Sequence, residues 1–267
     1  MKETQSPRLY NKALEFGLVP GHKGYTRFII LSRSRSGSNL LRGLLNSHSQ
    51  VVTFSEMFKN PNIIGWDISG YPNSGRVLDL FQKDTRLFIR KEVFKKFPKQ
   101  IKAVGFKIFY YHAYGTELAP VWDYLKEDHR IHVIHLKRNN ILKTHVSKKR
   151  AQITDNWINL TGERETAPKF KLDYEELLND FTQTRAWEAE AEQFFKGHPK
   201  IEINYEQLVR DFAGEMTKIQ AFLGLDYEQV FPQTHKQASK PLSATIENYL
   251  ELKKRFADTP WEVFFTE

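Results

Sequence analysis

Residues 27–48, "RFIILSRSRSGSNLLRGLLNSH", pass from an apolar, β-branched run through a knot of Ser, Arg and Gly into an amphipathic stretch. These residue types dictate strand, tight turn and helix in that order. The small residues let the backbone turn sharply, so that consecutive amide N–H groups converge, and a helix starting near Ser38 adds the positive end of its dipole. Ser36, Ser38 and Asn39 offer short hydrogen-bond donors, and Arg33 and Arg35 offer charge suited to the oxygens of phosphate or sulfate. A bare Ser/Gly turn is ordinarily just a solvated helix cap; the strand before it, the helix after it and the two arginines point instead to an anion site. Gly37 is followed by Ser38, where an ATP- or GTP-binding loop of Walker type has Lys and then Ser or Thr. That substitution argues against a P-loop kinase or nucleotide hydrolase, the alternative enzyme class.

Further β-rich runs lie at 51–54, 103–110, 131–136 and 201–204. Between and after them come helical patterns: "PVWDYLKED", with Pro120 at a first-turn position, then "YEELLNDFTQTRAWEAEAEQFF" and "YEQLVRDFAGEMTKIQAFLGL". Strands alternating with helices predict an α/β fold with a mainly parallel central sheet, whose site lies at the carboxyl ends of the strands. Two irregular stretches, 59–75 and 154–170, are long enough to be lids or binding loops. No composition shift marks a linker, so residues 1–267 are read as a single domain.

The formal charge of +8 favours anionic partners without choosing among nucleotides, sulfated or phosphorylated substrates, acidic lipid and nucleic acid. A basic nucleic-acid-binding module is the non-enzyme alternative, though no recognition motif accompanies the charge. There is no cysteine, which excludes disulfides, thiolate nucleophiles and Cys-ligated zinc. His129, His132 and His135 lack the spacing of a metal site, and no carboxylate cluster suggests one, so no metal is expected. Apolar runs fall short of a membrane span and "MKETQSPRLYNK" lacks a signal peptide's apolar core, which makes the cytoplasm the expected compartment. The 20 Phe, 11 Tyr and 5 Trp suit a well-filled interior or carbohydrate-stacking surfaces.

The most basic segment of the chain is "IHVIHLKRNNILKTHVSKKRAQ", a strand pattern running into a helical one. The strand delivers Arg138, and Thr144 and Ser147 follow in the helical stretch. The same segment holds Lys137, Lys143, Lys148, Lys149 and Arg150. Alone it would read as a solvated basic helix face or a nucleic-acid patch; following a buried-type strand and joined to the first loop, it reads as functional.

The pair of segments resembles the sulfotransferases that use 3′-phosphoadenosine 5′-phosphosulfate, in particular their bacterial carbohydrate-type branch. The family's loop commonly reads Pro-Lys-Ser-Gly-Thr-Thr-Trp-Leu, with Arg-Ser-Gly-Ser in many bacterial members. On that resemblance Ser34 stands for the proline and Arg35 for the lysine, while Ser36, Gly37, Ser38 and Asn39 surround the 5′-phosphate. Arg138 and Ser147, which lies nine residues on, would take the 3′-phosphate, with Thr144 as the substitute hydroxyl. "IEINYEQLVRDFAGEMTKIQAFLGL" is similar to the family's Tyr-Glu-x-Leu strand end and Phe-Leu-Gly-Leu helix end. "KQASKPLSATIENYLELKKRFADTPWEVFF" is similar to the closing segment of bacterial members, which would bring Lys236, Ser239 and Lys240 over the nucleotide. The resemblance implies a P-loop-like three-layer fold and transfer of a sulfuryl group to a hydroxyl of a sugar, glycolipid or other small metabolite. Arg35 would face the bridging oxygen. Glu56, after the second strand, is the first candidate for the base. His112 is its rival, although it lies five residues beyond Lys107, farther than the family's cytosolic branch would put it. Lys107 either touches the sulfonate or acceptor or forms a structural ion pair.

Overall fold

A computed structural model describes residues 18, 20–71, 73–157, 168–233 and 240–266. Its central sheet has five strands: β1 (Thr26–Ser32), β2 (Val51–Glu56), β3 (Ala103–Phe109), β4 (Ile131–Lys137) and β5 (Lys200–Asn204). They lie in the order β2-β3-β1-β4-β5, every neighbouring pair parallel. Parallel sheets need both faces covered, and the period-2 alternation of β1 sends side chains to two separate cores. Ile29 and Leu31 pack with Phe54, Phe106, Ile108, Trp122 and Phe195. Phe28 and Ile30 pack with Leu41, Leu44, Ile134, Leu136 and Ile219. The result is a three-layer α/β fold.

The helices that matter for the site are α1 (Ser38–Asn46), α2 (Pro120–Glu127), α3 (Ile141–Thr154), α4 (Tyr174–Phe194), α5 (Tyr205–Arg210) and α6 (Phe212–Leu223). The helical pattern from Tyr205 onward is broken in two at Asp211, with φ −141° and ψ 71°, whose carboxylate caps the second piece by accepting from the Gly214 amide at 2.9 Å. A short acidic side chain competes well for helix-starting amides, so periodicity alone overstates the helix there. A third, smaller core joins α3 and α4 to the carboxyl-terminal residues through Leu142, Phe181, Tyr249, Phe256 and Phe265.

The topology points to the site. From β1 the chain crosses to β2 on one side of the sheet, whereas from β4 it runs to β5 on the other. The crevice between the ends of β1 and β4 is therefore the switch point, where open α/β sheets bind ligands. Of the two long irregular stretches, 59–75 is no free lid: Ile64 and Trp66 are buried, and Trp66 packs on Phe54 with ring centroids 5.0 Å apart.

Gly105, in mid-β3, pairs with Phe28, and a Cβ there would come 2.6 Å from that ring and collide with its carbonyl oxygen. Gly105→Ala should therefore cost about 1–3 kcal/mol through overpacking. An unchanged urea midpoint would show that the strands can separate to admit a methyl group.

Candidate active site

Between β1 and α1 the chain uses left-handed backbone twice, at Arg35 with φ 66° and at Gly37 with φ 90°. Gly37 is the N-cap of α1, and a side chain there would strike the ring of Tyr205. Close approach and positive φ together demand glycine at this position. The Ser36 hydroxyl donates to the Arg33 carbonyl at 3.0 Å, which tightens the turn from inside. The Ser34 amide donates to the Tyr111 hydroxyl at 3.2 Å.

The two basic segments meet at Arg35. Its Nε donates to Ser147 Oγ at 3.0 Å, and its Nη1 donates to the Trp157 carbonyl at 2.6 Å. Arg138 Nη1 donates to the Arg35 carbonyl at 3.0 Å. The Arg138 guanidinium lies over the Tyr205 ring, 4.5 Å from its centroid, with the Glu206 carboxylate 3.9 Å from Nε. Nε itself is buried without a hydrogen-bond partner among the described residues. Burial disfavours the charged form of both arginines, and Arg138 adds repulsion at Arg35. An anion between them would relieve both effects.

Arg33 does something else. Its guanidinium forks onto Asp180 of α4, at 2.9 Å from Oδ1, and also reaches the Thr184 hydroxyl. Asp180 in turn binds His145 Nδ1 of α3 at 3.0 Å. Arg33 does not line the cleft; it ties the anion loop to the two helices behind it. The expectation of a phosphate-binding Arg33 gives way to a nearly buried ion pair.

Across the cleft, β2 ends in a bulge that sets Glu56 opposite Lys107 of β3. Lys107, 1% exposed, donates to Glu56 Oε1 at 3.3 Å and to Asn39 Oδ1 of α1. Burial lowers its pKa, and the Glu56 carboxylate opposes that shift. Lys59 lies 3.7 Å from the other Glu56 oxygen. His112 is buried against Phe109, and its Nδ1 accepts the Phe109 amide at 3.3 Å. Burial brings its pKa down to about 4. In that tautomer Nε2 carries the hydrogen, so the neutral ring can donate at Nε2 and has no free lone pair for a proton.

These groups share one cleft of about 1290 Å³, lined by Ser34, Arg35, Gly37, Ser38, Asn39, Glu56, His112, Arg138, Ser147 and Lys240 among others. Ser36 and Thr144 are buried and, like Lys107, lie outside the lining. Lys236 and Ser239 lie outside the described residues.

Residues 130–229 match the model of the sulfotransferase family. Over 248 residues, covering 89% of this chain and 92% of the other, the protein is 25% identical to nodulation protein H of Rhizobium tropici. Among solved structures it is similar to a sulfotransferase from Alicyclobacillus acidocaldarius, at 19% identity and a TM-score of 0.45 over 86% of this chain and 90% of that one. It is also similar to the sulfotransferase domain of the Synechococcus PCC 7002 olefin synthase, at 17% identity and a TM-score of 0.41 over 90% and 98%.

Sequence reasoning missed the aromatic wall of the cleft: Tyr111, Tyr114, Trp157, Tyr205 and Phe212. Only Tyr205 left a trace, in the Tyr-Glu-x-Leu pattern. No group of three or more His, Cys, Asp or Glu that could hold a metal occurs among the described residues, and no helix among them is long and apolar enough to cross a membrane.

Removing Asp180 strands Arg33 in the interior, so Asp180→Ala should cost about 3 kcal/mol. Glu127→Ala, which removes the exposed partner of Arg86, should shift the urea midpoint far less. Equal shifts of the two variants in urea would refute the asymmetry.

Acid should destabilise the protein in two stages. His112 and His135 have folded pKa values lowered by burial to about 4 from 6.5, so the unfolded chain binds the extra protons between those pH values and stability falls as pH drops through that window. Glu192 is raised by burial but held down to about 2 by hydrogen bonds from Lys200, His135 and Lys137, so its contribution is lost from pH 4.5 downward. Urea midpoints that stay constant from pH 7 to 4 would contradict this.

Proposed function

We propose that the protein transfers the sulfuryl group of 3′-phosphoadenosine 5′-phosphosulfate to a hydroxyl of a carbohydrate, glycolipid or small metabolite. The observation that carries the reading is the convergence at the switch point: Arg35 on Ser147, and Arg138 on the Arg35 carbonyl, from segments about a hundred residues apart. The donor set fits a doubly phosphorylated nucleotide. The orphan Nε of Arg138 and the Ser147 hydroxyl suit the 3′-phosphate, while the amides after β1 and the start of α1 suit the 5′-phosphate. Ser34, Ser36, Gly37, Ser38 and Asn39 belong to that second cradle, with Lys240 at its rim; Arg33 acts through its ion pair.

Transfer forms a bond between the acceptor oxygen and sulfur while the bond from sulfur to the bridging oxygen breaks, leaving 3′-phosphoadenosine 5′-phosphate. Arg35 meets the charge that develops on the bridging oxygen, helped by fixed amide dipoles that need no reorganisation. The acceptor proton goes to Glu56, which lines the cleft and is oriented by Lys107 and Lys59. Lys107 is thus a positioning residue. His112 donates a hydrogen bond through Nε2 and leaves the base role to Glu56. The reading takes residues 1–267 as one sulfotransferase domain working in the cytoplasm.

Calorimetric titration tests it, with 3′-phosphoadenosine 5′-phosphate, its 2′-phosphate isomer and magnesium ATP as ligands. The 3′-isomer should bind best, and Arg138→Ala should weaken it roughly ten- to hundredfold. Glu56→Gln should leave that affinity intact while lowering the transfer rate about a hundredfold or more. Preference for ATP would sink the proposal.

A further inference from the structure

Beyond β3 the chain turns sharply through residues 110–116 and holds Tyr114 between two left-handed positions, Ala113 with φ 68° and Gly115 with φ 70°. For alanine this backbone costs about 1–2 kcal/mol, so the surroundings must enforce it. The Tyr114 ring stacks on Trp122 of α2, with centroids 5.4 Å apart and planes 14° from parallel. Trp122 is itself immobilised: its indole N–H donates to the His112 carbonyl at 2.8 Å, and its ring meets Phe194 edge-on at 5.8 Å. One face of Tyr114 is therefore covered, while the residue as a whole stays 60% exposed.

A strained turn that leaves one face of an aromatic ring open gains no stability from that face, which buries no apolar area. It does provide a flat surface prepared in advance for a ligand. Tyr114 lines the same cleft as Glu56, Lys59 and His112, and that cleft, at about 1290 Å³, exceeds the roughly 300–1,000 Å³ of a usual single-ligand pocket. Space is left for a second molecule beside a nucleotide. The platform is one-sided, and Glu56, Lys59 and His112 share its cleft, unlike the two-sided slot that would grip a planar aromatic. A sugar ring suits it: axial C–H bonds lie on the π face, and the hydroxyls at the ring's edge remain free for hydrogen bonds.

We propose that Tyr114, backed by Trp122, is a stacking platform for a saccharide ring of the acceptor, presenting one of its hydroxyls toward Glu56. The subsite rests on the sulfotransferase reading only for the fate of the bound sugar; sugar binding itself does not.

Saturation-transfer NMR on the whole protein tests it. The probes are the methyl glycosides of glucose, galactose and N-acetylglucosamine, with p-nitrophenol as the planar aromatic competitor, each with and without 3′-phosphoadenosine 5′-phosphate. At least one glycoside should receive saturation on its ring protons. Tyr114→Ala should reduce that affinity roughly three- to tenfold, and Tyr114→Phe, which keeps the ring, should preserve it. Nucleotide affinity, read separately by calorimetry, should be unchanged in both variants. Saturation of p-nitrophenol alone, no saturation of any glycoside, or equal glycoside binding in Tyr114→Ala would overturn the proposal. Glycoside binding that persists in a protein unable to bind the nucleotide would uphold the platform and defeat only the donor assignment.

Discussion

Cations brought under cover at the carboxyl edge of a parallel sheet set the terms for this molecule. Arg33 just after β1, Lys107 within β3 and Arg138 just after β4 are all largely removed from water, and each demands compensation. Arg33 obtains it from Asp180, and Lys107 from Glu56 and Asn39. Arg138 obtains less: one backbone carbonyl, a ring face and a carboxylate at 3.9 Å. The two cations with a carboxylate at hydrogen-bond distance stiffen the frame around the cleft. Arg138, whose carboxylate stands off at 3.9 Å, marks where an anion is wanted.

Stiffness of that frame is what the proposed chemistry needs. In-line transfer depends on holding three parties in register, and a displacement of about 1 Å is costly. The anion loop is wedged against Tyr205 at Gly37, tied through Arg33 and Asp180 to α3 and α4, and closed inside by Ser36. Glu56 is likewise placed by covalent and electrostatic constraint at once, through the β2 bulge and the ammonium of Lys107. His112 shows the opposite use of burial: dehydration keeps it neutral, and the Phe109 amide occupies its lone pair.

Much of this was legible in residue order. The five apolar runs became the five strands, and Glu56 stood where a strand end would present it. Arg35, Arg138 and Ser147, separated in the chain, were paired on chemistry and meet in space. The partner of Arg33 was not legible, because an arginine in a basic knot looks the same whether it faces a ligand or an aspartate about 150 residues away. The stretch 59–75 looked like a lid because its Gly, Pro and Asn conceal Ile64 and Trp66, whose burial depends on Phe54 and Phe88. The aromatic wall was invisible for a related reason: 36 aromatic residues in one chain give no hint of which few face a cleft.

The sequence by itself determined the alternation of strand and helix, the anion-binding character of the loop after β1, and the absence of thiol chemistry. Those follow from local sterics, hydrogen-bonding capacity and composition, which need no knowledge of distant residues. Tertiary structure alone decided which arginine is a strut and which faces the cleft, which carboxylate lies within reach of the buried lysine, and that Tyr114 stands open on a rigid support. Each of those depends on pairing across long stretches of chain. The energy of a charge or a ring in a protein is set by what surrounds it, and only the folded packing supplies those surroundings.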